Sequence, residues 1–198
     1  MKTLKQLVLG LGILVGGVAS AQSSDMTNMF KVGLNGGVST GGNTAANLGV
    51  DLSYQNLITP GFGLGIATGY NHYFAKDRTI NGVDVKNNDF GVIPVAALFR
   101  IYPKQTGFYF GADLGYGFIV GDDKVASSTN PTNVAYNNVD RPDGGFYIKP
   151  EIGYHNRDWN FFVQYNKTFT GDKGQIGDQK YNAGAIGVGY GYNIPLGK

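Results

Sequence analysis

Along most of this chain, apolar side chains alternate with glycine, alanine or polar residues in stretches of about ten residues. Near the C-terminus, Ile186, Val188, Tyr190, Tyr192 and Ile194 share one parity, while Ala185, Gly187, Gly189, Gly191 and Asn193 share the other. Successive side chains of a β-strand point to opposite faces, so such a stretch has one oily face and one thin face of small residues. The pattern predicts eight strands, at roughly 30–38, 47–57, 62–74, 89–102, 107–120, 145–155, 159–170 and 181–194. The second sets Leu48, Val50, Leu52 and Tyr54 against Gly49, Asp51, Ser53 and Gln55. The fifth sets Phe108, Phe110, Leu114, Tyr116 and Phe118 against Tyr109, Gly111, Asp113, Gly115 and Gly117. In the fourth both parities are apolar, and only Arg100 assigns Val92, Pro94, Ala96 and Leu98 to the inner face. Pro94 lacks a ladder donor, so a bulge is expected there.

The joints alternate in length. Tight turns fall at Thr59-Pro60-Gly61, at Pro103 to Thr106 and at Asn156 to Asp158, whereas 39–46, 75–88, 121–144 and 171–180 are longer loops. Short turns at one end and long loops at the other are the habit of transmembrane barrels, with the turns on the periplasmic side. The fold class expected is therefore all-β, an eight-stranded antiparallel up-and-down transmembrane β-barrel occupying 30–198. A strand of this length crosses the hydrocarbon core when tilted.

A soluble lipocalin-like barrel alternates too, with its oily face inward. Its outer face would then be dense in charge, but the second parity here is mostly Gly, Ala, Asn, Tyr and Thr. An eight-stranded ring is only wide enough to be filled by its own side chains, so the small face belongs inside and the bulky face against lipid. The inward charges nearly balance: Lys31, Arg100 and Lys149 against Asp51, Asp113 and Glu151. They read as a paired lumen network with a structural role, or, as the alternative, as a gated ion path, since unpaired buried charge is costly. Lys167 falls on the lipid parity near the loop end, where it can snorkel to headgroups. Tyr54, Tyr70, Phe74, Tyr154, Trp159, Tyr190 and Tyr192 sit towards strand ends on the outer parity, as interfacial girdles do.

Composition sharpens the picture. Charged residues are 15% of the chain and glycine is 32 of 198 residues, against about 25% and 7% in ordinary soluble domains. Lys2 and Lys5, the apolar run Leu7 to Val18 and Ala19-Ser20-Ala21 form a signal peptide, with cleavage expected after Ala21. The apolar run is short for the alternative, an uncleaved helical anchor. Residues 22–29 then read as a disordered lead-in. Removing the two signal-peptide lysines leaves 14 basic against 14 acidic residues, which argues against a nucleic-acid partner. There is no cysteine, which excludes a lipid-anchored lipoprotein and a disulfide framework.

Signal, eight amphipathic strands, short turns and the Gly/Tyr-rich final strand Gly184 to Tyr192 resemble the small outer-membrane barrels of the OmpA/OmpX type, a porin-family class of Gram-negative bacteria. The resemblance covers the whole mature chain and rests on pattern. It implies outer-membrane lipid and lipopolysaccharide as surroundings, the barrel-assembly and periplasmic chaperone machinery as partners during biogenesis, and no catalytic residues or cofactor. An extracellular loop ligand stays open. One departure is that the chain runs on through Pro195-Leu196-Gly197-Lys198, so Tyr192 or Ile194 stands where many members end on an aromatic residue.

Other chemistry is thin. A hydrolase site needs a base beside a nucleophile. His72, with Ser39, Thr40 or Asp77 as companions, falls near the loop side and His155 near a periplasmic turn. Gly187, Gly189 and Gly191, like Gly61, Gly63 and Gly65, lie within strands and not on a turn opening a helix, so they are no phosphate loop. Asp122, Asp123, Asp140 and Asp143 lack the spacing of a calcium loop and read as solvated loop residues, no metal being expected. The function expected is a membrane scaffold whose loops meet the outside, with a narrow low-conductance pore as runner-up and a lipid-modifying enzyme third.

Overall fold

The structure, a computed structural model, describes residues 26–80, 82–127 and 138–197. Eight long strands carry the alternation: β1 (Asn28–Ser39), β2 (Thr44–Thr59), β3 (Phe62–Ala75), β6 (Phe90–Ile101), β7 (Gly107–Gly121), β9 (Gly144–His155), β10 (Trp159–Phe169) and β11 (Ala183–Gly197). They close in the order β1-β11-β10-β9-β7-β6-β3-β2, each pair antiparallel, so every strand has two neighbours and no edge is left open. Three short strands, β4 (Arg78–Ile80), β5 (Val83–Asn87) and β8 (Ala126–Ser127), make a separate small sheet in the order β4-β5-β8. Among the described residues, no helix is long and apolar enough to cross a membrane.

The oily parity points outward. Leu48, Ile66, Phe108 and Val188 are 60%, 68%, 69% and 63% exposed, while Asn35, Gln55 and Asp113 are at most 3% exposed. In β6, Ile93, Val95, Phe99 and Ile101 face out and Val92, Ala96, Leu98 and Arg100 face in, as the lone arginine implied. A soluble barrel would show the reverse.

Several expectations need correction. Met29 is buried and Asn28 already belongs to β1, with the Leu57 amide donating to the Thr27 carbonyl at 2.7 Å. The lead-in 22–29 therefore loses its last residues to the barrel, because the ladder with β2 and β11 captures them; the signal peptide 1–21 and residues 22–25 lie outside the described residues. The final strand runs to Gly197 and not to 194, since Pro195 is accommodated at a register shift between Asn28 and Met29. No bulge forms at Pro94: Thr68 faces Val95 and Asn71 faces Val92 in one register, and pairing with β3 only lapses between them. Of the first loop, expected over 39–46, only 40–43 is left outside strands.

Small residues let the seam close. Gly37 faces Gly187 across β1 and β11, and a Cβ on either would run into the partner backbone. The principal apolar core sits at the long-loop end. Ile80, Val85 and Ala126 of the small sheet, with Ile176 and Tyr181 from the β10–β11 connection, pack on Tyr73, Phe90, Val92 and Ile119 of the barrel rim. The Phe90 ring lies 5.0 Å from Tyr73 and 4.9 Å from Tyr181.

Candidate functional site

Four strands aim ionised groups at one level of the lumen. Arg100 from β6 reaches Asp113 on β7 at 2.6 Å through Nη1 and Glu151 on β9 at 2.9 Å through Nε. Lys149 on β9 reaches Asp51 on β2 at 3.1 Å and Asp113 at 3.3 Å. Register explains the meeting: Asp113 is directly opposite Lys149, and Arg100 faces Gly111, whose missing side chain leaves room for the guanidinium. Four of the five side chains are buried, and Asp51 is partly so, with 16% exposed.

Neutral donors complete the carboxylates. Tyr109 donates its hydroxyl to Glu151 Oε1 at 2.9 Å, and Asn35 donates to Asp51 Oδ2 at 3.0 Å. Two cations thus link three carboxylates in one chain, from Glu151 through Arg100, Asp113 and Lys149 to Asp51. Removing either cation from such a buried cluster leaves a carboxylate uncompensated, at a cost of about 3–5 kcal/mol. A void of about 40 Å³ lies beside these groups, enough for ordered water but for little more.

Lys31, the sixth predicted member, is not in the network. Its ammonium donates to the Tyr102 hydroxyl at 2.9 Å, and that hydroxyl donates in turn to Gln55 Oε1 at 2.9 Å. Parity puts Lys31 inside correctly, but its height along the barrel places it at the short-turn end, below Asp51. The pattern missed Tyr102, which follows β6 directly, and it gave Asn35 no role. Inward position on a strand beside Asp51 was the available signal for Asn35.

The predicted girdle residues are outward or at the rim. Trp159 lies 4.7 Å from Tyr192 and 5.8 Å from Tyr190, and Phe108 packs edge-on against Tyr154 at 5.7 Å. Tyr54 donates to Asn28 Oδ1 at 2.8 Å. Tyr70 and Phe74 stand at the other rim, each beside His72. That rim also has Tyr116 near Phe118 and Phe146 stacked on Phe169, which were read as lipid-facing or left unassigned.

The two histidines stand at opposite ends. His72 is on the outer face, with Nε2 3.2 Å from Asp89 Oδ2 and Nδ1 3.3 Å from the Tyr70 hydroxyl. Two of its companions are engaged elsewhere: Ser39 bonds Thr44 and the Gly184 carbonyl, and Asn182 donates to Thr40. His155 packs on Tyr102 and Tyr109 with Nε2 3.3 Å from the Lys104 carbonyl. Asp140 pairs with Lys124 on the surface, and the described residues contain no group of three or more His, Cys, Asp or Glu arranged for a metal. Lys167 stays on the outer parity, opposite Gly184.

A closed antiparallel ring of eight, oily outside and polar within, is the fold of the small outer-membrane barrels. Among solved structures, the outer membrane protein OprG from Pseudomonas aeruginosa matches with a TM-score of 0.53 at 12% identity, over 85% of this chain and 95% of that one. The Yersinia pestis outer membrane protein Ail (TM-score 0.48, 13% identity, 85% and 99% covered) and the Neisserial surface protein NspA (0.47, 12%, 84% and 96%) are more distant likenesses. At these identities the kinship is one of fold. No family model and no curated protein matches the chain.

Proposed function

We propose that the chain is an integral outer-membrane protein, exported on a signal peptide removed after Ala21, whose role is structural and at the cell surface. The observation that carries this is the filled lumen: an ion-paired network across its middle and an apolar cap over its long-loop end. Such a barrel does not need a conduit to be stable; it holds a platform of loops above the lipid. The short turns face the periplasm and the small sheet faces outward, where lipopolysaccharide and any loop ligand are met. Outer-membrane lipid surrounds the girdles, and barrel-assembly and periplasmic chaperone machinery attends its biogenesis.

Membrane fractionation combined with gel mobility before and after boiling tests the reading. A folded barrel in the outer-membrane fraction migrates differently once boiled. Recovery as a dissolved monomer without detergent overturns the proposal. The second reading, a narrow low-conductance pore, draws on the small void beside Arg100 and Asp113. Steady unitary openings of purified protein in planar bilayers, altered by Asp113→Asn or Arg100→Gln, would favour it over the closed scaffold.

A further inference from the structure

The short-turn end opens into a cavity of about 560 Å³, within the range of small-ligand sites. Its lining divides by chemistry. Met26, Met29, Leu57 and Ile58 form an apolar side, and Lys31, Lys104, Arg157 and His155 supply the other, with no carboxylate among the described lining residues. The lumen's other two cations are fully engaged: Arg100 and Lys149 each touch two carboxylates. Here, among the described residues, no salt bridge reaches Lys31, Lys104 or Arg157. Lys31 has only the Tyr102 phenol, whose own proton is spent on Gln55, so the ammonium keeps spare donors. A chain that gives each mid-barrel cation two carboxylates leaves three cations without one around a single concavity at its mouth.

We propose that this vestibule is a binding site for an alkyl phosphate: an anionic head of several oxygens seated on Lys31, Lys104 and Arg157, with its aliphatic part against Met29, Leu57 and Ile58. Three cations suit a phosphate better than a lone carboxylate, and the arginine fork matches its oxygens in pairs. The apolar wall selects against inorganic phosphate, which has nothing to place there. Two sources carry this chemistry: a soluble organophosphate of the periplasm, or the headgroup and first methylenes of an inner-leaflet phospholipid. The inference rests on the outer-membrane reading for its orientation, but not for the cavity itself.

The test uses full-length mature protein in phosphatidylcholine nanodiscs, accepted only when its gel mobility is heat-modifiable, so that failure of the barrel reading is seen before any ligand is added. n-Butyl phosphate is titrated calorimetrically against the wild type and against Lys31→Gln/Arg157→Gln. The expected result is saturable binding weakened about tenfold or more in the double variant, since a charge-assisted hydrogen bond contributes about 1.5–3 kcal/mol. Inorganic phosphate should bind at least about tenfold more weakly than its butyl ester, the burial of a few methylenes accounting for the difference. Adding phosphatidylglycerol to the disc identifies the source: competition with butyl phosphate names the lipid, and unchanged affinity names the soluble ligand, either result with the site intact. Absence of butyl phosphate binding to folded protein, or equal binding by the folded double variant, overturns the proposal. Equal affinity for phosphate and its butyl ester overturns the alkyl assignment.

Discussion

The two ends of this barrel are finished by opposite chemistry. At the long-loop end, Tyr73, Phe90, Val92 and Ile119 rise from four neighbouring positions on the rim and meet Ile80, Val85, Ile176 and Tyr181 coming down from the loops. At the short-turn end the strands stop within a few residues of each other, none of the described turns folds back over them, and cationic and apolar side chains share a cavity. The difference follows from loop length. A two- to five-residue turn has no side chains to spare for a lid, whereas loops of a dozen residues or more can contribute strands and apolar side chains of their own. One end therefore resembles a small soluble core, and the other a cup.

If that contrast is right, substitutions should grade from core to cup. Phe90→Ala removes the ring that joins Tyr73 to Tyr181 and should cost about 3–5 kcal/mol in urea titrations of the lipid-inserted protein. It should also expose the β3–β6 loop to protease. Arg100→Ala, in the middle, leaves Glu151 buried without a cation and Asp113 with Lys149 alone, and should cost a similar amount, about 3–5 kcal/mol. A loss below about 1 kcal/mol there would mean that the network contributes little to folding. Val188→Arg, on the lipid face at mid-strand, should cost about 2–4 kcal/mol, while Gly189→Leu, one residue on, drives a side chain into the Phe162 ring and should cost about 1–3 kcal/mol by overpacking. A harmless Val188→Arg would contradict the face assignment. Lys31→Gln, in the cup, loses one bond to a phenol at a half-buried position and should change stability by about 0.5–1.5 kcal/mol at most. A larger loss would make Lys31 part of the structural core and not a group held in reserve.

What could be read beforehand follows the same division. The eight long strands and their faces were legible because alternation over ten or more residues leaves one plausible parity, and Arg100 settled the one strand where both faces are oily. The network members were legible as inward charges. Their heights were not, because height depends on the stagger of each strand against the next, and that separated Lys31 from the other five. The cap was missed for another reason. Strands of three, five and two residues give alternation no length to register, and Tyr73, Phe90 and Tyr181 come together only through ring closure and loop folding. One local signal was present: Asn81-Gly82 between Ile80 and Val83 is a favoured pair for a tight hairpin turn, and Gly82 has a φ of 77°.

The seam between β1 and β11 has one more consequence. The ring is stitched shut by the first and last strands, which lie at opposite ends of the polypeptide. Until the final strand arrives, seven strands present two bare borders that hydrocarbon cannot solvate. A message truncated ahead of Ala183 therefore yields no smaller version of the molecule, because two polar borders are left with no strand between them.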